Sequence, residues 1–257
     1  MIFDTHVHYD DSAFDEDRDE LISSLPENGI GGFVNVCADY ASIEPVLAIA
    51  KKYDYAFAAL GIHPSDVEDM DEKKLENIER LIKKRGSKVV AVGEIGLDYH
   101  YPEPSRAIQK KWFVEQIELA LRVNKPVIIH SRDAAEDTQF TLDRYDFREL
   151  GGIVHCFSYS AALALHYVKR GFYIGIGGVI TFKNARKLKE VVSMVPLESI
   201  VLETDCPYLA PEPYRGQRNS SLYLPWILRT VANLKGVSEE EVERVTTANA
   251  KRLYRIG

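Results

Sequence analysis

The chain of 257 residues has few of the features that mark secreted or membrane-spanning proteins. Its three cysteines, Cys37, Cys156 and Cys206, are too few and too dispersed for a disulfide framework, which favours reduced thiols in the cytoplasm. The first residues lack a basic segment followed by a long apolar one, so we expect no signal peptide. No apolar run approaches the roughly 20 residues that span a bilayer, and we expect no membrane attachment.

An excess of positive charge is also missing. The 32 lysines and arginines are outnumbered by 39 aspartates and glutamates, which gives a formal net charge of −7. This balance argues against a protein coated in basic surface that grips duplex DNA. A nucleic acid held locally at a bound cation is still compatible with the charge, because a metal ion inverts the local field.

Short apolar runs rich in β-branched residues are present instead, and they alternate with helix-like segments along the chain. Runs of this kind are typical of parallel strands buried on both faces. There are eight of them: Ile2–Thr5, Gly32–Val36, Ala56–Leu60, Val89–Gly93, Pro126–Ile129, Gly152–Val154, Phe172–Ile176 and Ile200–Glu203.

Helical spacing of apolar residues fills the intervals between the strands. The clearest stripes lie within 75–82, 112–121 and 188–195. Ser238 and Glu241 form a capping box that opens a last helix ending near Tyr254. A helix over Leu222–Leu234 precedes it and contains Pro225, which we expect in the first turn.

Eight strand–helix units predict an α/β fold with one domain over residues 1–257, a TIM-type (β/α)8 barrel, regular or distorted. Its active site is expected at the C-terminal ends of the strands. The alternative is an open, doubly wound sheet. That fold would use a Gly-rich phosphate loop, and neither GxGxxG nor GxxxxGK occurs in the chain.

Histidine and acidic residues stand just after these strands, so a barrel would gather them at one end. His6 and His8 alternate along the first strand and share a face, where they can chelate one divalent metal. Asp205 ends the eighth strand, which closes against the first. It is expected to bind the same metal and to take a proton from its bound water. The alternative is that the two histidines make ordinary hydrogen bonds.

A second metal is predicted at the next strands. His130 and His155 end consecutive strands, and Glu94 can bridge two metals where a neutral imidazole cannot. Glu203, two residues before Asp205, is expected to orient a metal ligand from behind, or to be a plain structural acid. The alternatives are core histidines with satisfied hydrogen bonds and a salt-bridged glutamate. The ions would be Zn²⁺, Mn²⁺ or Mg²⁺.

Substrate contacts are expected around this centre. His63, before Pro64, is expected to contact substrate or shuttle a proton, or else to be structural. Four cationic residues are candidate phosphate contacts, or else ordinary solvent-exposed surface residues. The four are Arg132, Lys183, Arg215 and Arg218. Four tyrosines are expected either to stack on bases or to pack at the rim, namely Tyr99, Tyr101, Tyr159 and Tyr214.

These residues lie in motifs that resemble the TatD family of metal-dependent deoxyribonucleases, which are amidohydrolase-like barrels. The motifs run in order along the whole chain: DTHVH, GIHP, GEIGLDY, KPVIIHSRDA, HCFS, ETDCPYLAP and RGQRN. The resemblance implies two divalent metals held by His6, His8, Glu94, His130, His155 and Asp205, with Glu94 shared. The chain departs from the family pattern at Tyr159 and at Ser220-Ser221, positions expected beside the substrate cleft.

The function expected from the residues is metal-dependent phosphodiester hydrolysis, with Asp205 and Glu94 as the catalytic carboxylates. The resemblance implies DNA as substrate, single-stranded or at ends, with 3'-5' exonuclease-like action. One alternative is an amide or ester hydrolase, such as a deacylase, which would show a carboxylate-binding arginine and an apolar pocket beside the metals. Another is a metal-containing scaffold that binds nucleic acid or a protein without turnover. No obligate protein partner is expected.

Overall fold

The apolar runs form eight parallel strands that lie side by side in chain order in one sheet. The structure, a computed structural model, describes residues 1–257. The strands are β1 Ile2–Val7, β2 Ile30–Val36, β3 Ala56–Leu60, β4 Val89–Asp98, β5 Val127–Arg132, β6 Gly152–Val154, β7 Phe172–Ile176 and β8 Ile200–Leu202. The predicted strands are confirmed, and three of them match at both ends.

Three strands continue beyond their predicted ends and carry site residues within them. β1 runs on to Val7 and includes His6. β4 runs on to Asp98 and β5 to Arg132, because Gly96 pairs with His130 and Asp98 with Arg132. The sequence places the end of each strand at its first polar residue. In the barrel those polar side chains have polar partners at the rim, so the backbone ladder continues past them.

The sheet closes where β8 returns to β1. The backbone N–H of His8 donates to the carbonyl of Cys206 at 2.9 Å, and that of Asp205 donates to His6 at 3.0 Å. The Thr5 hydroxyl adds a bond to the carbonyl of Leu202 at 3.0 Å. These contacts turn the sheet into the predicted (β/α)8 barrel and bring the first and last strand ends together.

Nine α-helices surround the strands. They are α1 Arg18–Ser24, α2 Ile43–Lys52, α3 Glu72–Lys83, α4 Arg106–Val123, α5 Ala135–Leu142, α6 Ala161–Lys169, α7 Arg186–Met194, α8 Leu224–Lys235 and α9 Glu239–Tyr254. The capping box at α9 is confirmed, since Ser238 Oγ accepts from the N–H of Glu241 at 3.1 Å. Leu121, expected in the apolar stripe of α4, is 39% exposed. None of the helices has the length and apolarity that crossing a membrane requires.

The last helix holds the barrel where it closes. Asn249 of α9 is buried, and its amide donates to the carbonyls of Leu197 at 2.9 Å and Ile200 at 2.8 Å. The Tyr254 hydroxyl donates to the carbonyl of Thr5 at 3.0 Å. Helix α9 therefore ties the entry to β8 to the middle of β1.

Replacing Asn249 with alanine tests this tie. The substitution leaves two buried carbonyls without donors, at a cost of about 1–3 kcal/mol each, so we expect Asn249→Ala to lower the free energy of unfolding by roughly 2–4 kcal/mol. Chemical denaturation monitored by circular dichroism measures the change. Lys251→Ala, at an exposed position of the same helix, is the control and should stay within about 0.5 kcal/mol of the parent. Equal stability of the two variants would contradict the assignment.

Candidate metal centre

Four of the predicted ligands meet where β1 and β8 close the barrel. His6 Nε2 and His8 Nε2 lie 3.1 Å apart. Glu94 Oε2 is 3.4 Å from His6 Nε2, and Asp205 Oδ1 is 3.5 Å from His8 Nε2. Two imidazole nitrogens and two carboxylate oxygens thus surround one point.

A second group of donors surrounds the other oxygen of Glu94. Its Oε1 lies 2.7 Å from His130 Nδ1 and 3.6 Å from His155 Nε2. Asp205 Oδ1 is 3.8 Å from His155 Nε2. Glu94 therefore presents one oxygen to each histidine pair, which is the placement expected of a bridging carboxylate.

Polar groups behind the histidines fix which nitrogen faces inward. His8 Nδ1 donates to the carbonyl of Val36 at 2.8 Å, so in the neutral ring the free lone pair is on Nε2. His130 Nε2 donates to Asp98 Oδ2 at 3.0 Å and turns Nδ1 toward Glu94. Such partners set the orientation and the basicity of histidines that bind metals.

Glu203 lies against His155, the residue that follows β6. Its carboxylate is fully buried, accepts the backbone N–H of Cys156 at 2.6 Å, and lies 3.2 Å from His155 Nδ1. The strand beside it needs glycine, because a Cβ at Gly175 would lie 2.5 Å from Glu203 Oε2. Gly175 therefore makes room for this acid.

The electrostatics of the centre suit a cation. Burial alone would raise the pKa of Glu94, but the charges of His155 and His6 and the hydrogen bond from His130 outweigh it, so the pKa lies well below its ordinary value. Burial also opposes ionisation of Asp205, and again the neighbouring histidines lower the pKa. Two ionised carboxylates and four imidazoles form a donor set that fits Zn²⁺ or Mn²⁺.

His63 stands at the same rim with a different orientation. The backbone N–H of Ser65 donates to His63 Nδ1 at 3.1 Å, which leaves the ring proton of the neutral form on Nε2. That nitrogen lies 4.0 Å from Glu94 Oε1. Burial and then the charge of His130 lower the pKa of His63 to about 4. The residue thus presents an N–H donor to the centre rather than a lone pair.

The four cationic candidates differ in whether an ion pair already occupies their charge. Arg132 lines the cavity over the centre, with its guanidinium 5.7 Å from the Tyr101 ring. Lys183 is exposed, and Arg215 is exposed over the ring of Phe182 at 4.4 Å. Arg218 forms a bidentate ion pair with the carboxylate of Asp17, at 2.7 and 2.5 Å, so a phosphate contact would require this ion pair to break.

The two departures from the family motifs lie away from the metals, and neither Tyr159 nor Ser221 lines the cavity over the centre. The Tyr159 hydroxyl bonds to Ser131 Oγ at 2.9 Å. Ser221 is fully buried, where its hydroxyl donates to Asp4 Oδ2 at 2.7 Å and accepts from Tyr9 at 2.8 Å. These side chains complete structural hydrogen-bond networks.

Two residues at the centre were not assigned a role from the sequence. Asp98, which orients His130, lies four residues after Glu94 on the same strand, so period-2 alternation was a usable signal. Tyr208 is 54% exposed and its ring lies 6.4 Å from that of His8. Nothing in the local sequence distinguishes Tyr208 from an ordinary loop tyrosine.

Comparison with known proteins identifies a family for this chain. A family model described as TatD related DNase matches residues 3–255. The metal-dependent hydrolase YabD of Bacillus subtilis is 43% identical over 256 residues, with all of both chains covered. The crystal structure of YjjV, a TatD homolog from Escherichia coli, superposes with a TM-score of 0.94 at 33% identity and covers 100% of this chain and 98% of its own.

One relative has a more specific name. The 3'-5' ssDNA/RNA exonuclease TatD of Cronobacter sakazakii is 32% identical over 259 residues, which cover 98% of this chain and 97% of the relative. The matches extend over the whole barrel and all of its strand ends. The chain belongs to the TatD family of metal-dependent hydrolases.

Proposed function

We propose that this protein is a divalent-metal-dependent deoxyribonuclease that removes nucleotides from the 3' end of single-stranded DNA. The observation that carries the proposal is the buried carboxylate of Glu94, whose two oxygens each face a pair of histidines. The family description and the name of the Cronobacter sakazakii relative support DNA as the substrate class. Three free thiols favour the reducing cytoplasm as its location.

Six side chains would hold two ions. One set is His6, His8 and Asp205, and the other is His130 and His155, with Glu94 shared by both. Asp98 and Glu203 keep His130 and His155 in the orientation that ligation needs. Bound divalent ions supply a Lewis acid for a phosphate oxygen and a water of lowered pKa.

Asp205 is the proposed general base. Its carboxylate is ionised among the histidines. It is also more exposed than Glu94, with 16% of its side chain accessible against 5%. It can therefore reach an attacking water in the cavity and accept its proton. Glu94 contributes by keeping both histidine pairs at a fixed separation.

The proposed substrate contacts lie around this base. His63 Nε2–H is placed to donate to a phosphate oxygen, as its hydrogen bond from Ser65 requires. Arg132, Lys183 and Arg215 are free of ion pairs and can take phosphates along the strand. Tyr101 and Tyr208 expose more than half of their surface beside the cavity, where bases can stack.

A deacylase is the second candidate, because one observation favours it. An apolar cavity lies next to Asp205, on the side away from His8. An amide or ester hydrolase would use such a cavity for an acyl chain, with Arg132 on the substrate carboxylate. A scaffold without turnover has less support, since two ionised acids are buried here at a considerable cost in solvation.

An Asp205→Asn variant tests the nuclease directly. We expect the parent protein to shorten a 5'-labelled single strand from its 3' end only with Mg²⁺, Mn²⁺ or Zn²⁺ present. Loss of the base should lower kcat by about 10²–10⁴-fold. Asp69→Asn, an exposed acid to amide change, is the control and should keep full activity. Metal-independent cleavage, full activity of Asp205→Asn, or turnover of N-acyl compounds alone would overturn the proposal.

The donor role of His63 is tested by a pair of variants. His63→Ala removes the N–H, and we expect kcat/KM on the same strand to fall by about 10²-fold while the metal content, measured by elemental analysis, is unchanged. His63→Gln restores an N–H donor and should recover part of the loss. A drop in metal content in His63→Ala would instead make His63 a ligand.

A further inference from the structure

The apolar cavity next to Asp205 has a volume of about 480 Å³, within the range of small-ligand sites. It lies on the side of Asp205 that faces β6, β7 and α7. Phe157, Val179 and Leu209 are among its walls. Asp205 lines both this cavity and the one that holds the metal centre, so the two cavities are adjacent.

The two cavities have opposite charge at their margins. The rim over the metal centre is acidic, and among its side chains only Arg132 attracts a polyanion. Its four aspartates are Asp10, Asp11, Asp39 and Asp66. Arg186 and Lys187 line the apolar cavity, are exposed, and form no ion pair. An anionic chain bound at the metals is therefore drawn across β7 and α7 rather than across β1–β3.

Leu209 carries an independent sign of a binding surface. It is 40% exposed and has a φ of 55°, in the left-handed region that a branched residue rarely adopts. The backbone holds it there, since Gly178 passes so close that a Cβ would lie 2.1 Å from the Leu209 carbonyl oxygen. Tyr208 faces the metal cavity and Leu209 the apolar cavity, so exposed apolar surface flanks Asp205 on both sides. Strain of this kind is concentrated at functional sites.

We propose that this cavity binds the base of the 3'-terminal nucleotide, the one whose 5'-phosphate lies at the metal centre. The inference rests on the proposed nuclease function and names the part of the substrate that its site selects. A nucleobase on a phosphate chain matches both features, because its faces fit Phe157, Val179 and Leu209 while the positive charges of Arg186 and Lys187 attract the anionic strand that carries it. An acyl chain would use the apolar walls alone. Apolar walls favour binding without strong preference among the four bases.

The test compares two single strands that differ only at the 3'-terminal residue, which is a normal nucleotide in one and an abasic tetrahydrofuran residue in the other. The parent protein should show a kcat/KM about tenfold higher for the strand with the base. Val179→Phe narrows the cavity and should bring the ratio close to one, mainly through KM. Val237→Phe makes the same change at an exposed site outside the cavity and should keep the ratio.

A second variant guards against a folding defect in Val179→Phe. Leu209→Gly removes the side chain at a backbone position that suits glycine, and it should also lower the ratio. If both variants keep the parent ratio, or if the parent itself shows no preference for the base, the proposal is wrong.

Failure of the nuclease function is distinguished by a binding measurement. If no strand is cleaved with any metal, the proposed function fails. The cavity is then tested with 2-aminopurine deoxynucleoside 5'-monophosphate, whose fluorescence should change on the metal-loaded parent protein and not on Val179→Phe. Displacement of this probe by an N-acyl amino acid, or turnover of that compound in a manner sensitive to Val179→Phe, would assign the cavity to an acyl group and overturn the proposal.

Discussion

A single carboxylate buried at the mouth of an apolar barrel is the constraint on which the site depends. Glu94 is 3% exposed, and a lone charge in that position would be costly. The histidines of β1, β5 and β6 offset this cost, and they lower its pKa well below the ordinary value. Their own orientations depend in turn on Val36, Asp98 and Glu203, so the polar arrangement extends one layer outward from the centre.

Barrel closure provides the second half of that arrangement. His6 and His8 belong to the first strand and Asp205 follows the last, so these side chains meet only because the sheet closes. Another buried acid secures the junction. Asp4 accepts the backbone N–H of Thr204 at 3.0 Å and its hydroxyl at 2.7 Å, together with the hydroxyl of Ser221. The same hydrogen bonds that stabilise the fold therefore set the geometry of the centre.

Most of the barrel and the convergence of the six predicted ligands followed from the sequence, for a physical reason. Parallel strands buried on both faces are continuous apolar runs, and their C-terminal ends must meet. The contacts of residues in long loops were not predictable in this way. Arg218 pairs with Asp17, some 200 residues earlier, and Ser221 bonds to Asp4 of β1. These partners are set by tertiary contacts, which the local sequence pattern does not reveal. The lengths of β4 and β5 were underestimated because polar residues can continue a strand where the rim supplies partners.

The central claim is that Glu94 is shared by two cations. Anomalous diffraction from crystals grown with Mn²⁺ tests it most directly. The account predicts two peaks, one bonded to His6, His8, Asp205 and Glu94, and the other bonded to His130, His155 and Glu94. A single peak, or two peaks of which only one contacts Glu94, would contradict it.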